Sequence, residues 1–130
     1  MRLTSLAFAL LSVASAAAGD CPDQTQTGLN QCAAEAHKKA DEELNRAYKK
    51  IVERLKGEET ARALLADAQK KWIAFREAEC AFQGSASVGG SIHPMIVSEC
   101  LESVTARRTK ELRYYLKCEE GDLSCPVPAD

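Results

Sequence analysis

The sequence predicts an all-α fold: a small disulfide-stapled bundle in which an antiparallel hairpin of two helices packs with a third helix. Three observations predict it. A length of 130 residues fits one domain. Apolar residues recur every three or four positions in three segments, and no stretch alternates with the period of a strand. Six cysteines are many for so short a chain, and their even number favours disulfides if the chain is exported.

Residues 1–18 predict a cleaved secretory signal peptide. Arg2 provides the positive start, Leu3–Val13 is apolar, and Ala14–Ala16 offers small residues around a cleavage site. The apolar run is shorter than the roughly 20 residues that span a membrane, and Asp20 directly before Cys21 does not suit lipidation. We therefore expect a soluble protein in the periplasm or outside the cell, without a stable membrane anchor. The alternative is an uncleaved anchor.

The first helix of the mature chain is predicted to end at Gly57. Its apolar positions are spaced by three or four residues and predict a buried face: Leu29, Ala33, Ala36, Ala40, Leu44, Ala47, Tyr48, Ile51 and Leu55. The opposite face carries charges of both signs, which is typical of a solvated surface.

The second helix is predicted over about Glu58–Phe82, and the short turn at Gly57 predicts an antiparallel hairpin. The residues at helical spacing, all apolar except the last, are Ala61, Leu64/Leu65, Ala68, Trp72, Phe75 and Glu79.

The third helix is predicted to begin near Pro94, because a first helical turn tolerates proline. Its buried stripe is interrupted around Arg108 and consists of Val97, Cys100, Leu101, Val104, Leu112, Tyr115 and Leu116. The helical domain is thus expected over residues 19–118.

The two remaining segments are expected to be irregular. Gln83–His93 is too rich in glycine and serine to hold a regular element. Residues 119–130 have no periodicity and are expected to form a polar tail.

The cysteines are expected to form disulfides, since export favours oxidation and no C-x-x-C motif indicates zinc or redox chemistry. Proximity along the predicted helices favours three local pairs, and the chief rival is a Cys32–Cys100 link. The local pairs are Cys21–Cys32, Cys80–Cys100 and Cys118–Cys125. Each would stabilise the domain by about 2–3 kcal/mol in the chain-entropy model.

Composition and charge exclude several classes of function. With 45% hydrophobic and 28% charged residues, the composition indicates neither a disordered protein nor a membrane protein. Seventeen Lys and Arg against nineteen Asp and Glu give no basic excess, so nucleic acid is not expected as a partner.

Taken in order, the individual residues resemble the LprI-like domain family, formerly a domain of unknown function and named after a mycobacterial lysozyme inhibitor. The resemblance covers about Cys21–Leu116. It rests on Cys21, Leu29-Asn30-x-Cys32-Ala33, Ala40-Asp41-x-x-Leu44-Asn45-x-x-Tyr48, Ala68-Gln69-x-x-Trp72-Ile73-x-Phe75-Arg76-x-x-x-Cys80, Gly89-Gly90-Ser91, Cys100 and Thr105-x-x-Arg108-Thr109-x-Glu111-Leu112. Leu29, Phe75 and Glu77 stand where the family commonly has methionine, tyrosine and aspartate. The lipid anchor of the member that gave the family its name does not carry over.

The polar residues of these motifs predict a partly buried polar seam between the helices. Helical spacing places Asp41, Asn45 and Tyr48 on one face of the first helix. The same spacing places Gln69, Trp72 and Arg76 on one face of the second. Arg108 interrupts the third helix in the same way. We expect Asp41 to pair with Arg76 or Arg108, with Asn45 and Gln69 satisfying the rest, in a structural network rather than a catalytic one.

No catalytic site is predicted, so the protein is expected not to be an enzyme. Ser91 and His93 could supply a nucleophile and a base, but no third group at a recognisable spacing would orient the histidine. Paired-carboxylate hydrolysis needs a cleft that three helices rarely form. No metal and no cofactor are expected.

The resemblance implies a protein that binds and inhibits lysozyme. An inhibitor needs a rigid scaffold that presents a protruding segment to a cleft lined by two carboxylic acids. The Gly84–His93 loop suits this role, with Ser85, Ser87, Ser91 and His93 as hydrogen-bond donors; the competing interpretation is a flexible connector. The alternative function is a non-catalytic envelope interaction or stress module with a different protein partner.

Overall fold

The computed structural model describes residues 21–130 and contains three α-helices. They are α1 (Gln26–Arg54), α2 (Glu59–Gln83) and α3 (His93–Tyr115), and the described residues contain no strand. The predicted all-α class is confirmed. None of these helices is both long and apolar enough to cross a membrane. The predicted signal peptide, residues 1–18, lies outside the described residues.

Local sequence explains where the helices begin and end. The Thr25 hydroxyl accepts a hydrogen bond from the Gly28 N–H at 3.1 Å and caps α1. Gly57 ends the turn between α1 and α2 with φ +91°, a conformation that glycine adopts without the steric cost of a side chain. Pro94 lies in the first turn of α3, as predicted.

α3 runs parallel to α1 and packs along it, whereas α2 runs antiparallel to both, as the contacts between the helix ends show. Near the start of these helices, the Asn30 side-chain amide donates to the Ser91 carbonyl at 3.0 Å. At the other end, Arg54 Nη1 donates to the Leu116 carbonyl at 2.7 Å. The backbones of α1 and α2 come close at almost no point, so the predicted hairpin is open along one side.

The apolar core consists of two clusters that Trp72 joins. The larger cluster is formed by Leu44, Ala47, Ile51, Leu55, Leu112 and Val127. The smaller one surrounds the Cys80–Cys100 disulfide and includes Val104. Trp72 packs against both clusters and so connects the two ends of the bundle.

The prediction of the buried face of α2 is wrong in part. Leu64 is 67% exposed and Phe75 is 55% exposed, and Ala68 is exposed as well, whereas Leu65 and Trp72 pack against the core. Successive helical positions differ by about 100°, and of these two adjacent leucines only Leu65 packs against the core. α2 has more apolar positions than its neighbours can cover because α1 lies apart from it.

The glycine- and serine-rich connection also differs from the expectation, because Ser85–Ser87 form a turn of 3₁₀ helix. The Ser87 N–H donates to the Gly84 carbonyl at 3.0 Å, and the Gly90 N–H donates to the Ser87 carbonyl at 2.9 Å. Successive turns of this kind satisfy the backbone locally. The connection is therefore a compact, hydrogen-bonded loop.

The C-terminal tail, residues 119–130, contains no helix or strand, but it is not only a polar segment. Val127 is only 4% exposed and completes the larger core cluster. Arg54 Nη2 donates to the Asp130 carboxylate at 2.6 Å. The tail covers the end of the bundle at which α1 ends.

We expect Val127→Ala to lower the free energy of unfolding by about 1–3 kcal/mol, because it removes buried methyl groups from a packed cluster. Urea unfolding followed by circular dichroism measures the change. Leu123→Ala is the matched control in the same tail, since Leu123 is fully exposed (100%), and it should leave stability unchanged. Equal stability of the two variants would contradict the role assigned to Val127.

Candidate functional site

The structure brings most of the predicted seam residues together at the interface of the three helices. Arg76 is the central group and is only 8% exposed. Its Nη1 donates to Asp41 Oδ1 at 2.7 Å and to Thr105 Oγ1 at 3.0 Å, while its Nη2 donates to Glu77 Oε1 at 3.2 Å. One guanidinium on α2 is thus tied to both α1 and α3.

Trp72 supports the same guanidinium from a neighbouring turn of α2. The Arg76 Cζ atom lies 5.0 Å from the centre of the Trp72 ring, within the range of a cation–π interaction. Arg76 Nε is buried and has no hydrogen-bond partner among the described residues. Most of the hydrogen-bonding capacity of Arg76 is therefore satisfied, and one donor remains unused.

Arg108 forms a second, separate polar contact in the seam. Its Nε donates to Gln69 Oε1 at 3.1 Å, and its Nη1 donates to Glu111 at 2.9 Å. Of the two alternatives left open by the sequence, the structure pairs Asp41 with Arg76. The side chain of Asn45 is exposed and joins neither contact within the described part of the chain.

His37 belongs to the seam but was missed by the sequence analysis. Its Nε2 lies 3.4 Å from Asp41 Oδ2, and the two residues stand four positions apart on α1. The i, i+4 spacing of a histidine and an aspartate is a signal that could have found it. Both carboxylate oxygens of Asp41 thus face a nitrogen of another side chain.

The seam lines a groove of about 470 Å³ between α1 and α2. The lining residues are Asp41, Leu44, Asn45, Tyr48, Ala66, Gln69, Lys70, Ile73 and Arg76. Tyr48 also lines a second depression of about 340 Å³ between α1 and the start of α2. The seam therefore borders open space on one side, which the sequence did not predict.

The loop residues predicted to bind a partner divide into two pairs. His93 Nδ1 lies 2.9 Å from Ser87 Oγ and 3.2 Å from the Gly84 carbonyl oxygen, so these side chains hold the loop together. The side chains of Ser85 and Ser91 are exposed. The geometry does not join Ser91 to His93 as a nucleophile and base.

Three disulfides hold the chain in the local arrangement: Cys21–Cys32, Cys80–Cys100 and Cys118–Cys125. The second one closes the base of the loop, where the Cα atoms of its two cysteines lie 5.5 Å apart. No group of three or more potential metal ligands assembles within residues 21–130.

We expect Asp41→Asn to lower the free energy of unfolding by about 1–3 kcal/mol, because it leaves the buried Arg76 charge without its strongest partner. Asp67→Asn is the matched control. Asp67 pairs with Lys71 on the exposed side of α2, and its loss should cost less than about 0.5 kcal/mol. If Asp41→Asn left stability unchanged and abolished binding of a partner, the seam would be functional rather than structural.

Comparison with known proteins agrees with the resemblance seen in the motifs. A family model described as "Lysozyme inhibitor LprI" matches residues 17–112. An uncharacterized protein of Rhizobium meliloti (strain 1021) is 33% identical over 139 residues, covering 93% of this chain and 100% of that protein. No solved structure matches the chain. The extent of the family match shows that the chain belongs to the LprI lysozyme inhibitor family.

Proposed function

We propose that the protein is an exported, non-catalytic inhibitor that binds a lysozyme-like glycan hydrolase through the Gly84–His93 loop. The observation that carries the proposal is the family match over residues 17–112. The three disulfides agree with an oxidising compartment outside the cytoplasm. Membership in the family supports inhibition rather than hydrolysis.

The loop has the stiffness that an inhibitory segment needs. The Cys80–Cys100 disulfide closes its base, and the contacts of His93 with Ser87 and Gly84 hold its interior. A loop that is already ordered loses little conformational entropy when it binds. These contacts favour a preformed binding segment over a flexible connector.

The outer surface of the loop offers both apolar and polar contacts. Val88 is 72% exposed, and Phe82 projects from the last turn of α2 just before the loop. Exposed Ser85 and Ser91 supply hydroxyl donors. An apolar anchor with hydrogen-bond donors around it suits the centre of a protein interface, and the donors suit the two carboxyl groups of a glycosidase cleft.

A second candidate function is a binding module of the envelope with a different protein partner. The exposed apolar side chains of Leu64 and Phe75 favour it, because they lie on α2 well before the loop and would have no role in a contact confined to the loop. Neither function requires catalysis by this chain.

The proposal is tested by adding the oxidised protein to hen-type lysozyme in a cell-wall lysis assay. We expect a concentration-dependent slowing of lysis. Val88→Asp should weaken inhibition at least about tenfold, since truncated or charged anchor residues cost upward of 1.4 kcal/mol of binding.

Leu123→Asp is the matched control, because Leu123 is an exposed aliphatic residue in the tail, and it should inhibit like the wild type. An unchanged lysis rate at micromolar excess of the wild-type protein would count against a lysozyme target. A pull-down from envelope extract then separates the candidates: recovery of a lysozyme or lytic transglycosylase supports inhibition, and recovery of other proteins supports the second function.

A further inference from the structure

Six side chains form a continuous exposed row along one side of α2, which we call the α2 stripe. Its three large apolar members, Leu64, Phe75 and Phe82, are 67%, 55% and 74% exposed. All six members are exposed: Leu64, Ala68, Lys71, Phe75, Ala78 and Phe82. Apolar rows of this length on a helix normally pack against another surface. The α2 stripe is therefore a candidate interface.

The spacing of the α2 stripe is that of a coiled-coil seam. Its members follow one another at alternating steps of four and three residues. An average step of about 3.5 residues keeps a seam turned toward one partner helix along its whole length. From residue 64 to residue 82 the seam is about 27 Å long, because each helical residue adds about 1.5 Å. A long helix suits this surface better than a small ligand, which needs a concave site.

A second copy of α2 offers a matching seam when it runs antiparallel to the first. With a two-fold axis at the level of Ile73, each member of the α2 stripe meets another member of the same stripe, and each contact is formed twice. Small side chains then meet small ones, and two large ones close each end of the seam. The facing pairs are Leu64 with Phe82, Ala68 with Ala78, and Lys71 with Phe75. The α2 stripe is thus complementary to itself.

Lys71 is the polar member of the α2 stripe and favours the antiparallel orientation over the parallel one. In a parallel pair, Lys71 would face the same lysine of the second copy, and the two like charges would repel each other. In the antiparallel pair it faces Phe75, whose ring can cover the aliphatic stem and attract the ammonium. The ammonium also donates to Asp67 at 2.7 Å on its own helix. One polar residue in a seam commonly fixes the orientation of a coiled coil in this way.

The acidic residues beside the seam do not oppose this arrangement. Asp67 and Glu79 flank opposite edges of the α2 stripe. Around an axis at the level of Ile73, the two copies of either residue lie about 18 Å apart along the helices, beyond the Debye length of about 8 Å at physiological salt. Asp67 accepts from Lys71, and Glu79 accepts from Gln83 Nε2 at 2.8 Å. Each carboxylate thus already has a partner on its own helix.

The exposed area of the α2 stripe is the size that a weak dimer needs. Its three large side chains together expose roughly 400 Å² per copy, since each has a surface of about 200 Å². Two copies, with the alanines and the stem of Lys71 added, approach about 1,000–1,200 Å², the lower limit of specific interfaces. An interface of this size predicts a dissociation constant in the micromolar range.

We propose that the protein forms an antiparallel homodimer through the α2 stripe. The dimer covers Leu64 and Phe75, and so accounts for their apolar surface without a different protein partner. It goes beyond the proposed inhibitory function and does not rest on it, because the exposed loop residues Ser85, Val88 and Ser91 lie outside the stripe.

The test is sedimentation velocity of the oxidised protein from about 5 µM to about 500 µM, a range that spans a micromolar dissociation constant. We expect the weight-average mass to rise with concentration toward twice the mass of the monomer. A protein that stays monomeric over the whole range overturns the proposal in favour of a different partner for the stripe.

Two alanines of α2 provide matched variants. Ala68→Glu should weaken the dimer at least about tenfold, because it sets a carboxylate against an apolar side chain in the seam. Ala63→Glu adds the same charge on a different face, since five positions place it about 140° around the helix from Ala68, and it should dimerise like the wild type. Both alanines are exposed, so neither variant should unfold the protein, and circular dichroism checks this. Equal weakening by the two variants overturns the α2 stripe as the interface.

A double variant tests the antiparallel register. Ala78→Lys alone should weaken the dimer, as Ala68→Glu does. The two substitutions combined should restore association at least about tenfold relative to either alone, because the introduced glutamate of each copy faces the introduced lysine of the other. In a parallel dimer each introduced charge would face itself, and the double variant would associate more weakly than either single variant. That result overturns the proposal. None of these outcomes depends on whether lysozyme is inhibited.

Discussion

The buried guanidinium of Arg76 is the contact around which the three helices are arranged. Burying a charge is costly unless hydrogen bonds and an opposite charge compensate it, and Arg76 finds them on both other helices, at Asp41 and Thr105. A long polar side chain therefore bridges α2 to α1, in addition to the apolar contacts that Leu65 and Trp72 make with the core. The backbones of α1 and α2 stay apart, and a groove lies beside the seam.

A domain of this size buries little apolar surface when it folds, so other constraints must contribute to its stability. The core clusters occupy the two ends of the bundle, and the polar seam lies between them. Disulfides restrain the N-terminal arm, the loop and the C-terminal tail. The tail then adds Val127 to the larger cluster. The disulfides thus act at the three segments where the helices themselves supply the least packing.

The three helices were predictable because their signals are local. These signals are the spacing of the apolar residues, the glycine turn and Pro94. Which residues of α2 face the core was not predictable in the same way, since Leu64 and Leu65 have equal apolar character and the packing of the neighbouring elements decides which of them is buried. Val127 was missed for a related reason: a single apolar residue in a polar tail has no periodicity. Helical spacing did place Asp41 and Arg76 on facing surfaces, but the open groove beside them depends on interhelical distance.

The seam and the loop are connected through the narrow buried stripe of α2. Gln69, Arg76 and Cys80 are the buried residues of that helix, and their spacing of seven and four positions places them along one face. Cys80 closes the loop one turn beyond Arg76, so the orientation of α2 that the seam establishes is also the orientation that positions the loop. The family motifs that include Gln69, Trp72 and Arg76 then serve the presentation of the loop even though none of these residues belongs to it. The groove belongs to the same arrangement, because Gln69 and Arg76 of this buried stripe also line it.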